Sequence, residues 1–583
     1  MAQQTEGYWS RLAARRRSRR ALLRSGATVA AAVSVAGMAA CSTRGAGNSN
    51  SAAQLGGQAS GGTAKTGGTF QIASANNPPT LDPNATSAAF THQLLGLSMS
   101  RLFQFETGAD LKVAEQYNIR PEIALSAESP DAVTWTLKLR PDATFHNIPP
   151  VSGRAVEAED VKTSFVRTAA PAGANRSTFD MVDPDQIQTP DKNTVVFKLR
   201  YPYAPFRSML ASPYCWIMPR EAGTGYDPAK TVIGSGAFIY DRYTPDVEYA
   251  VKRNPDWFEK GRPYIDGVHV AMAPDKPQNL AQFSGGHLDA LGQGTGSVAL
   301  VSDDLDPLKR DNPKASMVTA PGVNGFYIAT QLAVPSSPFL DIRVRQAMSL
   351  AIDRDAMGRA VIGSQYYLQP VESQRWGKWA LSMDELPADT AKWYKQDLNQ
   401  AKQLLQAAGA TNLTLKYDET KPQPVGQVFY ASTETTYNML SQLPWKITLV
   451  TIDYNKDWVG GGKGVRYGNF PVDTIVMAGL EGASDVDEQL YTHFHSKSTK
   501  SVLRLKDPTL DAMIDKGRTI LDENERVKAY KDIQKYLALQ LYGIAGFPGW
   551  FAYTAVQPWV KNWNVGTGYG VGSEVFSKLR LDR

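Results

Sequence analysis

SPDAVTWTLKLRPDATFHN (residues 129–147) carries at its centre the run TWTLKLR (134–140), in which apolar and polar side chains alternate and β-branched and aromatic residues are prominent. A period of two places every second side chain on one face, which is the pattern of a half-buried strand. The pattern returns in TVVFKLR (194–200), which ends in the same Leu-Arg pair. Both runs are expected to be strands.

Later in the chain the period lengthens. In DIRVRQAMSLAIDRDAM (341–357) Val344, Ala347, Met348 and Ala351 recur at i, i+3, i+4 and i+7, one face of a helix. Arg526, Tyr530, Ile533 and Gln534 share a face of NERVKAYKDIQKYL, and LNQAKQLLQAAG ends at Gly409, a residue suited to close a helix. Strands and helices therefore mix irregularly, with more helix toward the carboxyl terminus and no tandem repeat of fixed period. At 583 residues the chain exceeds the roughly 250–300 at which a single hydrophobic core stops growing, so two or more lobes are expected.

The net charge of +5 does not point to nucleic acid, because it has a local origin. Seven arginines lie among residues 1–40 with one acid, Glu6, and the rest of the chain is close to neutral. That segment reads as an export signal. Ser18-Arg19-Arg20-Ala21-Leu22-Leu23-Arg24 resembles a twin-arginine signal, and Met38-Ala39-Ala40-Cys41 resembles a bacterial lipoprotein cleavage box. Under this reading Cys41 becomes the lipidated first residue of a protein anchored on the outer face of the cell membrane. Residues 41–66 are small, polar and rich in Gly and Ser, a flexible tether, and the folded body starts near Thr69. The other cysteine, Cys215, lies in SPYCWIMP and is expected to be a buried free thiol, so no disulfide is available.

Signatures of catalysis are absent: there is no G-x-S-x-G, H-E-x-x-H, G-x-x-x-x-G-K-[ST] or C-x-x-C. Gly294-Thr295-Gly296-Ser297-Val298-Ala299 fits G-x-G-x-x-A, but the residues after it offer only a short helix broken by Asp306-Pro307, so it reads as a plain glycine loop. SDVDEQLYTHFHS (484–496) crowds three acids and two histidines together. Asp485 and Glu488 suit a helix N-cap and its reciprocal partner, and Asp487 falls in the first turn, where the dipole favours an acid. His493 and His495, two apart, point away from each other on a helix. The stretch reads as architecture and no metal site is assigned. The chain's 12 Trp, 25 Tyr and 20 Phe are the more informative resource, with Trp376, Trp379, Trp458, Phe547 and Trp550 beside Gly or Pro in expected loops, where rigid rings make good cleft walls.

The order of short motifs resembles one family, the solute-binding lipoproteins of ABC importers in extracellular family 5. Gly67-Gly68-Thr69-Phe70 with PPTLDPN (78–84), then SPDAVTWTLKLRPDATFHN followed by AEDVKTSFVR (158–167), are similar to its opening segments and its most recognisable signature. GSGAFIY (234–240), VKRNPDWF (251–258) and SSPFLDIRVRQAMSLAIDRDAM (336–357) are similar to later ones, and Asp485, Asp487, Leu490, Phe494 and Ser496 match its pattern of two acids followed by Leu, Phe and Ser, to which neither histidine belongs.

The resemblance implies an α/β, two-lobed fold of the periplasmic-binding-protein type II kind with an extra subdomain in lobe I. Lobe I would comprise 67–110, 228–320 and 540–583, the subdomain 111–227 and lobe II 321–539, with solute trapped as the lobes close. It implies no enzyme and no cofactor. The implied partners are a peptide-like or other small solute, the ABC permease subunits and the membrane through the lipid anchor, with a monomeric chain and no nucleic acid. An ungapped alignment puts Gly482 where peptide-binding members carry the aspartate that pairs with the peptide amine, with Glu481 beside it. Asn77, Trp458, Glu481 and Trp550 are the expected solute-binding residues. The alternatives are a secreted lipid-anchored hydrolase and a solute sensor without a transporter.

Overall fold

The computed structural model describes residues 66–107, 118–170, 173–292, 299–322, 325–421, 427–460, 463–479, 485–563 and 573–583. The export segment, Cys41, nearly all of the tether, the glycine motif at 294–298 and Glu481 lie outside these residues.

The stretch 129–147 begins with a side-chain turn. Asp131 accepts hydrogen bonds from the backbone N–H groups of Val133 and Thr134 at 2.9 and 2.7 Å, and this launches the strand Thr134–Leu139. Trp135, Leu137 and Leu139 are buried while Lys138 is exposed, as the alternation requires. The strand pairs antiparallel with Thr194–Leu199 inside a four-stranded sheet in the order 124–128, 134–139, 194–199, 182–191, and helix Ala158–Ala169 packs against it.

Beside two small two-stranded sheets, 103–105 with 119–121 and 560–561 with 580–581, three more four-stranded sheets are present among the described residues. In one, Thr69–Ser74 runs parallel to Gly267–Met272, which is followed by Glu248–Arg253 and Phe238–Thr244. In another, Pro548–Val556 is the central strand, flanked antiparallel by Ser316–Pro321 and Ala290–Gly292 and, at its start, by Tyr366–Leu368. The last has the order Phe326–Thr330, Thr474–Gly479, Thr414–Thr420, Lys446–Ile452; the first strand is antiparallel to its neighbour and the other three are mutually parallel.

The apolar interior divides into two large clusters and one small one. The first gathers side chains from Phe70 to Val318 and again from Val556 to Leu581; the second runs from Phe326 to Phe547. The chain passes between the two at 318–326 and at 547–556, so the strands Ser316–Pro321 and Pro548–Val556 are its two crossings, and they pair with each other. The small cluster, with Phe283, Leu291, Leu308 and Tyr553, lies against the crossing strand. This is a two-lobed α/β fold. The last residues return to the first lobe, where Phe70 stacks on Trp563 with ring centroids 5.7 Å apart and meets Phe576 edge-on, and where the buried Arg101 joins Glu122 and Glu574. Cys215 is buried and free.

The helical faces follow the sequence pattern. Ile342–Ala351, capped by Asp341, buries Val344, Ala347, Met348 and Ala351. Glu523–Gln540, capped by Asp522, buries Arg526, Tyr530, Ile533 and Gln534. Leu398–Ala407 is followed by Ala408 and then Gly409, whose φ of +67° is the left-handed conformation that closes a helix. Two expectations need correction. Helix Ser302–Asp311 continues through Pro307 instead of breaking there, because the carbonyl of Asp303 that loses its donor lies on the exposed side, within reach of solvent. Trp550, expected in a loop, sits on the crossing strand. No helix among the described residues is long and apolar enough to cross a membrane.

Candidate functional site

In an open α/β sheet the crevice outside the carboxyl ends of the parallel strands is where ligands bind, because loops from neighbouring strands diverge there. In the second lobe those ends are Thr420, Ile452 and Gly479, and Phe326 opens its antiparallel strand opposite Gly479. Helix Gln427–Leu440 follows the first strand, the single-turn segment Tyr454–Val459 follows the second, and the chain holding Glu481 follows the third. The crossing strand brings Trp550 to the same end.

Four aromatic rings connect these elements in a row. Trp550 lies 5.3 Å from Phe326, Phe326 meets Phe429 edge-on at 5.2 Å, and Phe429 meets Trp458 at 6.4 Å. Trp550 and Phe429 are half-buried, whereas Trp458 is 8 % exposed and belongs to the second apolar cluster. The crossing is tight here. Gly322 donates its N–H to the Trp550 carbonyl at 2.8 Å, and a Cβ at Gly322 would stand 2.7 Å from Trp550 Nε1. Only glycine allows that approach.

The structure thus brings together Trp458 and Trp550, through Phe326 and Phe429, which sequence reasoning missed. The continuous apolar run FYIAT, buried along its whole length, marks Phe326 as a strand residue, but nothing local marks it as the link between two distant tryptophans. Asn77 is elsewhere. It follows the strand Thr69–Ser74 in the first lobe, where its side-chain amide donates to Asp246 Oδ1 at 2.7 Å and its side-chain oxygen accepts from the Asp246 N–H at 2.9 Å. Asp246 has φ +60°, so Asn77 clamps a left-handed hairpin turn.

Acids surround the strand ends. Asp418 is pushed up to about 6, chiefly by burial, with Lys416 opposing and Asp473 and Asp457 adding to the rise. Its neighbour Glu419 points to the other face, beneath helix Gln427–Leu440. Burial raises it first; the hydrogen bond from Thr451 Oγ1, at 2.9 Å, lowers it and the carboxylate of Glu434 raises it further. Among the described residues no group of three or more His, Cys, Asp or Glu could hold a metal ion.

The lobes also touch at a place other than the crossings. The segment 201–208 of the first lobe lies against Arg518, which follows helix Pro508–Gly517, and Ala204 donates its N–H to the Arg518 carbonyl at 2.6 Å. The Arg518 guanidinium sits over the rings of Tyr491, Tyr203 and Tyr201 at 4.1, 4.9 and 5.2 Å, and its Nε reaches Asp487 at 3.2 Å. Burial alone would lower that guanidinium; Asp487, then the three tyrosine oxygens, overcome burial and hold it charged. Asp487 also accepts from Tyr530 Oη at 3.2 Å. Asp485 caps helix Val486–Phe494 by accepting from the N–H of Asp487. Beside this contact lies an open polar cavity of about 510 Å³ lined by Glu106, Ser129, Arg207, Trp379, Asp485 and Arg526, among others.

The molecule thus has two α/β bodies joined by paired crossing strands, an aromatic row at the strand ends of the second body and a polar cavity where the two bodies touch. Known proteins agree. Residues 118–500 match the family model described as bacterial extracellular solute-binding proteins, family 5 Middle. The "Probable di/tripeptide-binding protein 5" of Pseudomonas aeruginosa is 26% identical over 526 residues, spanning 85% of this chain and 92% of that protein. The "Heme-binding protein A" of Haemophilus influenzae is 26% identical over 468 residues, 75% of this chain and 78% of that one. The solved structure of HbpA2 from Haemophilus parasuis superposes with a TM-score of 0.72 at 21% identity, covering 88% of this chain and all of that one (100%), and so shares the fold. The chain therefore belongs to the bacterial extracellular solute-binding proteins, family 5.

Proposed function

We propose that this protein captures a peptide-sized solute between its two lobes outside the cell membrane and hands it to the permease of an ABC importer. The observation that carries the reading is the aromatic row from Trp550 on the crossing strand to Trp458 at the carboxyl ends of the second-lobe strands. It is a rigid apolar wall placed where closure of the lobes would bury a solute, and flat rings bind with little loss of side-chain entropy. Phe326, Phe429, Trp458 and Trp550 would form that wall, with Glu481 at its edge by its place after the strand Thr474–Gly479. Asn77, held on its hairpin turn, would shape the opposite lobe without touching solute. The relatives named for di/tripeptides and for haem support a small organic solute and leave its chemistry open.

Lobe I is assigned to 67–110 and 228–320 with its subdomain at 111–227, and lobe II to the chain from 321; the second apolar cluster supports moving the boundary between lobe II and the last part of lobe I, expected at 539/540, to just after Phe547. Cys41 is assigned as the lipid-bearing residue of a monomeric, membrane-anchored protein exported by the twin-arginine signal. Its replacement by Ser should move the protein from the membrane to the soluble fraction.

The deciding experiment is native mass spectrometry of the purified protein, with identification of any co-purifying solute. A bound peptide-sized solute that raises the melting temperature without being turned over is expected. An empty protein that peptide, sugar and metal libraries leave unstabilised would overturn the reading, and turnover of a library member would mean a hydrolase.

A further inference from the structure

One carboxylate at the proposed site has no counter-charge of its own. Glu419 is the penultimate residue of the parallel strand Thr414–Thr420 and is only 7 % exposed. Its Oε1 accepts from Thr451 Oγ1, while its Oε2 is buried with no hydrogen-bond partner among the described residues. The charged group that acts on it is another acid, Glu434 of helix Gln427–Leu440, whose own carboxylate accepts from Tyr430 Oη at 3.1 Å. The undescribed stretches of the second lobe do not hide a cation, since residues 323–324, 422–426, 461–462 and 480–484 contain neither lysine nor arginine. Buried carboxylates are ordinarily paired, because an uncompensated charge in a low-dielectric site is costly. Two facing acids without a base are costlier still.

The position of this pair gives it a use. By strand register Glu419 lies level with Thr451 on one side and, continuing the pairing of Asp418 with Val476, level with Met477 on the other. Two residues further along that neighbour, Gly479 faces Phe326. Steps of two keep one face of a sheet, so Glu419 shares the helix-covered face with Phe326 and lies deeper than the aromatic row. Phe429 and Tyr430, successive residues of the helix, complete the aromatic row and the acid cluster respectively.

We propose that Glu419, with Glu434 and Tyr430 beside it, receives a cationic group of the solute, an ammonium or guanidinium that passes the aromatic row and reaches the sheet face. The assignment rests on the solute-binding reading above and names the ligand class for the same site. Aromatic faces on the way suit a cation, and the buried Oε2 gives it a charge-assisted hydrogen bond at the end.

The test is calorimetric titration of the intact chain in detergent with two matched pairs. Ala-Arg and Ala-citrulline differ by a guanidinium against a neutral urea of the same shape; Ala-Ala and N-acetyl-Ala-Ala differ by the amine. The wild type should prefer the cationic member of at least one pair by about tenfold or more, and Glu419→Gln should erase that preference. A preference that survives in Glu419→Gln overturns the assignment, as does equal binding within both pairs or failure of all four to bind. In each of these cases the solute-binding reading stands if another solute co-purifies and falls only if none does. A second measurement needs no ligand. Because the charge lacks an internal partner, Glu419→Gln should melt at the same temperature as the wild type or higher at pH 8, and a clearly lower melting temperature would show a partner inside the protein and overturn the proposal.

Discussion

Two buried acids of the second lobe, Asp487 and Glu419, have opposite surroundings. Asp487 meets Arg518 at 3.2 Å and Tyr530 at 3.2 Å, and Arg518 in turn lies among three tyrosine rings, two of them from the first lobe. Glu419 meets one threonine and a second acid. A charge that the chain itself compensates fixes how parts of the fold dock; a charge left uncompensated at the carboxyl end of a parallel strand is kept for something that arrives from outside. One region holds the lobes together and the other gives them something to close upon.

The comparison breaks most visibly if the satisfied acid is removed. Asp487→Ala would strand a buried guanidinium, and equilibrium denaturation should show a loss of about 3–5 kcal/mol, most of it recovered when Arg518 is also replaced by Met. A loss below about 1 kcal/mol would mean that the pair does not organise the contact. Trp550→Ala at the sheet end should act differently, weakening binding of the identified solute by about thirtyfold, of the order expected when a central aromatic anchor is truncated, with much less effect on folding. Equal affinity would remove Trp550 from the wall.

A milder change at the first of these regions falls on Tyr201, which is only half-buried and lies over Arg518. Tyr201→Ala should raise the population of separated lobes about fivefold, corresponding to roughly 1 kcal/mol of lost cation–π contact, readable by single-molecule distance measurements across the lobes. The smallest effect concerns Asp418. Its folded-state pKa, raised to about 6 from the ordinary 3.8, means that the folded protein binds more protons than the unfolded chain in between. The stability it contributes is present below about pH 4 and is lost as pH rises through 6, so Asp418→Asn should flatten the melting-temperature profile over that window. An unchanged slope would place the titration on another group; Lys416, Asp457 and Asp473 are the charged groups that act on Asp418.

Much of the fold is legible in the sequence because its signals are local. The period of two in 134–140 and 194–200 becomes two paired strands, and the four apolar positions of 344–351 become a buried helix face. Two-lobed architecture follows from motif order, since each motif keeps its place in the chain. The site was less legible. Trp458 and Trp550 are conspicuous as tryptophans beside glycines, but their link runs through Phe326 and Phe429, ordinary core residues by sequence. The docking of Arg518 on Tyr201 and Tyr203 joins positions more than 300 residues apart with no periodic trace. Asn77 has its place after a strand end, and the sequence gives no sign that both ends of its amide engage Asp246 at a left-handed turn 169 residues on.

The return of the last residues to the first lobe sets an order of events in time. Phe70 packs against Trp563 and Phe576, and Arg101 joins Glu574, so the earliest strand of the body waits for residues made several hundred positions later. The second lobe, complete by Phe547, has all of its core side chains while the first still lacks part of its own. A chain interrupted between Phe547 and Val556 would carry a finished second lobe and an open, apolar first one. The segment 556–581 is thus the part whose arrival quality control of this protein has to read.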